Sequence, residues 1–155
     1  MSRDTRIAGA VFSGIPIVML SASTICTWAI AHGASRSWRL LFRAFCHGIE
    51  SRCLELWGVP MPICARCTAI YAGFALGLIA FVILPRVEER LLRIAVWIAA
   101  MPMAVDGITQ ALRLRESTNG LRIATGSTAA FAFGFWVLSA IEEGVRRRVT
   151  QLDAV

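Results

Sequence analysis

Apolar positions gather into four long runs separated by arginine-rich stretches. Each is long enough to cross the roughly 30 Å hydrocarbon core of a bilayer, for which about 20 residues suffice. The first extends from Ile7 to about Ala31 without a charge. The second covers about Pro62 to Leu84, interrupted only by Arg66 near its start and stopped by Pro85 and Arg86. A third covers about Leu92 to Leu112 with Asp106 inside it, and a fourth about Ile123 to Ile141, running out into Arg146-Arg147-Arg148. A signal peptide is the alternative for the first run, given Arg3 and Arg6 ahead of it and the small residues Ser21 to Ser23. Its 25 uninterrupted residues favour an uncleaved span. Pro16 is tolerated there because lipid-embedded helices accommodate a kink. The predicted fold class is all-α: an integral membrane bundle of about four transmembrane helices, in one domain over residues 1–155.

Between the first and second spans, residues 32 to 60 alternate Trp38, Leu40, Leu41, Phe42 and Phe45 with Arg36, Arg39 and Arg43. That pattern predicts an amphipathic helix lying along the membrane surface and delivering Cys46 and His47 to the start of the second span. Within the second span, Gly73 and Gly77 have the GxxxG spacing that lets helix backbones approach closely, and packing within the chain is the expected use. The five tryptophans read as interface or packing residues.

Composition agrees: 57% hydrophobic and 17% charged residues, with a mean hydropathy of +0.64, exclude an ordinary soluble domain. The formal charge is +6, and all sixteen basic residues are arginine. Most arginines at span ends are expected to orient the chain and reach lipid head groups, while some could grip phosphate or carboxylate with a planar fork.

With four spans, the first and third connections emerge on the same side, so the unusual polar residues meet there. Cys46, His47, Glu50, Arg52, Cys53, Cys64, Arg66 and Cys67 come from the first connection and its borders. Arg113, Arg115, Glu116, Ser117, Asn119 and Arg122 come from the third, with Asp106 and Gln110 below its start. Helical spacing puts Cys64, Cys67 and Tyr71 on one face and Asp106, Gln110 and Arg113 on another. Asp106 is read as a metal ligand, a general base or part of a proton path, or as a carboxylate paired with Arg66, Arg113 or Arg122. The stretch from Arg115 to Gly120 suits either an anion held with Arg122 at a helix N-terminus or a turn that caps the fourth helix.

Several of these motifs in this order resemble the DUF2085 family of small multi-spanning membrane proteins. They are Cys46-His47 with Arg52; Gly58, Pro60, Pro62 and Cys64-Ala65-Arg66-Cys67 through Ile70, Tyr71 and Gly73; Pro102, Asp106-Gly107 and Gln110; and Arg115 to Asn119 with Arg122 and Thr125-Gly126. The resemblance covers residues 46 to 126. It implies an integral membrane protein with a shared polar site and brings no reaction with it. Gly48, Cys53 and Ala69 depart from the family's usual Gln, Ser and Gly.

Thiolates and an imidazole gathered at a membrane edge suit zinc, with Cys46, His47, Cys64 and Cys67 as candidate ligands. His47 is alternatively a catalytic group or a partner of a ligand. The expected function is metal-assisted hydrolysis or transfer on a lipid head group or small anion. In it Asp106 and His47 are catalytic, and Arg52, Arg66, Gln110, Arg115, Ser117, Asn119 and Arg122 bind substrate. A thiol–disulfide oxidoreductase cycling Cys64 and Cys67, or a binder or transporter without turnover, stand as alternatives. Cys26, inside the first span, reads as a packing residue. The expected partners are the lipid bilayer and an anionic ligand, with no nucleic acid. The chain is expected to cross the cell membrane several times with both termini in the cytoplasm, which places the cysteines on the outer face.

Overall fold

A computed structural model describes residues 3–84 and 87–152; Pro85 and Arg86, read above as the stop of the second span, lie outside them. Four helices dominate it: α1 over Arg3–Ala31, α2 over Ala65–Ile83, α3 over Glu89–Ala111 and α4 over Asn119–Leu152. All four are long and apolar enough to cross a membrane. At 1.5 Å per residue the 19 residues of α2 span about 28 Å, whereas the 34 of α4 reach about 51 Å and must project beyond the hydrocarbon core.

The close pair is α2 and α4. A Cβ on Gly77 would stand 2.2 Å from the Phe131 carbonyl oxygen, and one on Gly73 2.4 Å from that of Ser127. From the other helix, a Cβ on Gly134 would meet the Phe74 carbonyl at 2.6 Å. The GxxxG spacing therefore serves packing within the chain. Below these glycines Leu78, Phe81, Phe135 and Leu138 close an apolar core, with the Phe81 and Phe135 rings edge to face. Helix α1 packs on α2, α4 and the first connection, and α3 packs chiefly on α4. The only residue buried along α3 is Asp106; Leu91, Trp97, Ile98, Met101 and Ile108 are exposed, an apolar surface that suits lipid rather than water.

The first connection departs from the expected single surface helix. A 3-10 helix over Arg36–Phe42, capped by Ser35, is followed by a short 3-10 turn over Glu50–Arg52 and a two-stranded hairpin. Strand β1 (Cys53–Leu56) pairs antiparallel with β2 (Val59–Cys64). The turn is Trp57-Gly58, with φ of 54° and 72°. Positive φ at both central residues matches the twist of the flanking strands. Pro62, Ile63 and Cys64 thus belong to β2, and α2 starts three residues later than the hydrophobic run. Pro60 and Pro62 block helix and are tolerated in an edge strand. Trp38, Leu40, Leu41 and Phe45 are exposed along the connection, whereas Arg39 turns inward, to Glu50 and to the carbonyls of Met61 (3.3 Å) and Gly48 (3.4 Å).

Candidate metal centre and polar cleft

The hairpin sets the position of the sulfurs. β2 runs directly into α2, so Cys64 caps the helix and Cys67 sits in its first turn. Cys46 arrives from the other direction, at the end of the turn that follows Phe42, where its N–H bonds the Phe42 carbonyl at 2.9 Å. Gly48 then takes φ +57°, and a Cβ there would stand 3.0 Å from the Pro62 carbonyl. The loop after Cys46 therefore lies against β2 only because this residue is glycine.

One side-chain ligand atom each from Cys46, Cys64 and Cys67 lies within 4.8 Å of the others. The Cys46 sulfur also accepts the Cys64 backbone N–H at 3.2 Å. Hydrogen bonds from the Cys64 thiol, then the Cys67 thiol, then the Cys64 and Gly48 backbone hold the Cys46 thiol well below the usual range despite its burial. The N-terminus of α2 favours negative charge at the same place. Cys53, cross-strand partner of Cys64, is the opposite case: burial raises its thiol to about 11, and it donates to the Ile49 carbonyl at 3.2 Å. Cys26 is buried in the apolar cluster with Ile30, Phe42 and Met61.

His47 is exposed and outside the three-sulfur group, although it lines the cavity of about 330 Å³ that is also lined by all three cysteines. Its chain neighbour Gly48 turns the backbone there, and Cys46 alone of the pair points inward. Arg52, Arg66, Gln110 and Arg122 line the same cavity. A second cavity of about 420 Å³ shares Arg52, Gln110 and Arg122 and adds Arg115 and Ser117.

Asp106 lies behind both, 1% exposed. One carboxylate oxygen accepts from Arg115 at 2.5 Å, and the other from Ser117 at 2.9 Å and from Arg66. Of the pairings offered by the sequence, Arg66 is realised and Arg115 replaces Arg113. The end of α3 explains the exchange: Arg113 takes φ +56° and the Leu114 N–H bonds the Thr109 carbonyl at 2.9 Å, a left-handed helix stop. That stop reverses the chain and sends Arg115 back onto Asp106 and onto the Thr109 hydroxyl, 3.3 Å away.

The start of α4 is capped as the alternative reading of this stretch expects. The Thr118 hydroxyl accepts the Leu121 N–H at 3.3 Å. Asn119 ties α4 to β1, donating to the Cys53 carbonyl at 3.3 Å, and accepts from Arg122 of its own helix at 2.6 Å. Arg66 also reaches the Gln110 amide at 3.4 Å. Sequence reasoning missed the structural parts of Cys53 and Arg39. For the first, Gly58 was a weak cue, since Trp57 beside it departs from the usual hairpin signal. Nothing in the pattern separated Arg39 from its lipid-facing neighbours.

The profile of a family described as "Predicted membrane protein (DUF2085)" matches residues 46–136, which include every residue of this cluster. The chain is 34% identical over 110 residues to the uncharacterized protein MJ1492 of Methanocaldococcus jannaschii, covering 70% of each chain. It is 37% identical over 101 residues to an uncharacterized protein of Methanothermobacter thermautotrophicus, covering 64% of this chain and 88% of the relative. No solved structure matches.

Proposed function

The chain belongs to the DUF2085 family of predicted membrane proteins, and on that premise we propose that it is a metal protein of the bilayer boundary. In this reading Cys46, Cys64 and Cys67 hold a zinc-type ion beside an arginine-lined pocket for a lipid head group or small anion. The observation that carries it is the gathering of three thiol groups within 4.8 Å from two separate segments. A tetrahedral zinc with bonds of about 2.3 Å sets its sulfurs about 3.8 Å apart, so closure needs an inward adjustment of about 1 Å at most. Soft thiolates favour zinc over harder cations. Bound zinc supplies a Lewis acid, with a fourth position for water, His47 or an anionic ligand.

The chain's own groups divide the remaining work. Asp106 has both oxygens engaged, which supports a positioning part, fixing Arg66 and Arg115 at the pocket's edge, over that of a general base. His47, exposed at the sulfur cavity, is the group left to move protons in a hydrolysis or transfer. Elemental analysis of detergent-purified protein tests the reading. About one zinc per chain is expected in the parent and far less in Cys64→Ser and Cys67→Ser. A folded parent with no metal sinks it.

A thiol–disulfide reading has its own support, because the Cys46 sulfur stands beside the CxxC pair with thiolate character. Metal-free protein whose Cys64 and Cys67 appear as a disulfide by mass spectrometry would favour that reading instead.

A further inference from the structure

Two of the cavities on the cysteine side are lobes of one cleft, since Ile49, Arg52, Gln110 and Arg122 line both. Its charge does not balance. Arg52, Arg66, Arg113, Arg115 and Arg122 border the cleft, while Asp106 and Glu116 are the carboxylates set against them. Five positive groups against two negative ones leave an excess of three. Three thiolates around a divalent zinc carry one net negative charge, so even a loaded metal centre leaves an excess of two.

The excess is localised. Arg66 and Arg115 are committed to Asp106, whereas Arg52, Arg113 and Arg122 form no ion pair among the described residues; Arg113 is exposed and lines one lobe, while Arg52 and Arg122 line both. Arg122 is 5% exposed; its NH1 is bound to Asn119, and its Nε has no hydrogen-bond partner among the described residues. A buried guanidinium with an unmet donor is costly unless an acceptor reaches it. It lies in the first turn of α4, where the helix field also attracts negative charge.

We propose that the waist between the two lobes binds a doubly charged tetrahedral oxyanion of the phosphate class, held by Arg52, Arg122 and the Gln110 amide. Such an anion matches the excess charge, and guanidinium forks match its oxygen geometry. The lobes on either side are large enough for a substituent, so the anion arrives free or as the head group of a phosphomonoester lipid. The inference deepens the preceding reading by naming the ligand class of its pocket, and rests on the metal centre only for the size of the charge excess.

The test titrates inorganic phosphate, against nitrate at matched ionic strength, into full-length detergent-purified protein of known zinc content, with calorimetry as the readout. Saturable phosphate binding at one site per chain is expected, with nitrate silent. Arg122→Gln and Arg52→Gln should each weaken it roughly tenfold or more with zinc content unchanged. Arg93→Gln, an exposed residue paired with Glu89 on α3, should leave it intact. Arg52 is half-buried in the short 3-10 turn of the first connection, outside the four long helices, so its variant keeps the test valid should Arg122→Gln fail to fold. Nanodiscs of phosphatidic acid against phosphatidylcholine locate the source: displacement of phosphate by phosphatidic acid marks a lipid head group, and no displacement marks a free anion. Folded, zinc-loaded protein that binds neither phosphate nor phosphatidic acid overturns the proposal, as does binding indifferent to Arg52→Gln. Metal-free protein that still binds phosphate through these arginines sinks the metal reading and leaves this one standing.

Discussion

Asp106 shows how one side chain organises its surroundings. A carboxylate within a span costs about 2.5 to 3.5 kcal/mol by insertion scales, yet this one is 1% exposed. Two arginines and a hydroxyl offset that cost and, in doing so, fix Arg66 of α2 and Arg115 of the third connection against α3. Asp106→Asn leaves both guanidinium groups unanswered. Loss of a buried pair costs roughly 3 to 5 kcal/mol, and because the Arg115 side chain is 47% exposed the lower end is expected. Arg115→Gln removes only the screened contact and should cost about 1 kcal/mol or less. Denaturant titrations in detergent check the ordering, and equal effects would remove the clamp from the account. That Asp106 needs a partner was legible from its place in an apolar run. Arg66 was among the partners it offered, but Arg115 was not, because its approach depends on the left-handed backbone at Arg113, a residue type that seldom takes it.

Among the elements, contact between α2 and α4 is set by backbone against backbone. Gly77→Ala puts a methyl 2.2 Å from the Phe131 carbonyl, which no rotamer relieves. Overpacking of this kind costs about 1 to 3 kcal/mol or forces the helices apart. Gly14→Ala on α1 meets nothing within 4 Å and should be neutral or slightly stabilising. Thermal unfolding of the two variants in one detergent distinguishes packing from helix propensity; equal shifts would mean the close approach carries no weight. The four helices were legible because their apolar runs exceed anything a soluble strand or helix needs. The hairpin was not: β1 has four residues, too short to establish a period of two, and β2 carries two prolines. Its turn departs from the Asn-Gly signal by placing Trp57 at positive φ. That hidden hairpin sets Cys64 opposite Cys53 at the head of α2, where its N–H meets the Cys46 sulfur, so the sequence pointed to the cysteines while their geometry, with His47 left outside, depended on an element it did not reveal.

For the whole molecule, four crossings put the first and third connections at one boundary, and the contacts between them agree: Asn119 holds the Cys53 carbonyl, and Arg115 reaches Asp106 beside Arg66. The other boundary carries Arg90, Arg93 and Arg146-Arg147-Arg148 beside Glu89 and Glu143. Counting arginines alone hardly distinguishes the two sides. The site changes the weighting, because Arg39 is answered by Glu50, Arg66 and Arg115 by Asp106, and Arg52 and Arg122 face the cleft. Arg113 also borders the cleft, so Arg36 and Arg43 are then the ones on the cysteine side left to act as topological signals, fewer than at the termini, and cytoplasmic termini with the cysteines outward are the orientation to test. Added cysteines at exposed positions, scored with a membrane-impermeant maleimide against labelling of the parent, test this directly. Ser37→Cys and Glu116→Cys should both label on intact cells, and Arg93→Cys and Arg146→Cys only after permeabilisation. Labelling of Ser37→Cys and Glu116→Cys from opposite sides would dismantle the shared boundary on which the metal centre and the anion cleft depend. Labelling of both only after permeabilisation would keep that boundary and reverse the protein, placing the thiols in a reducing compartment, where a metal is favoured over a disulfide.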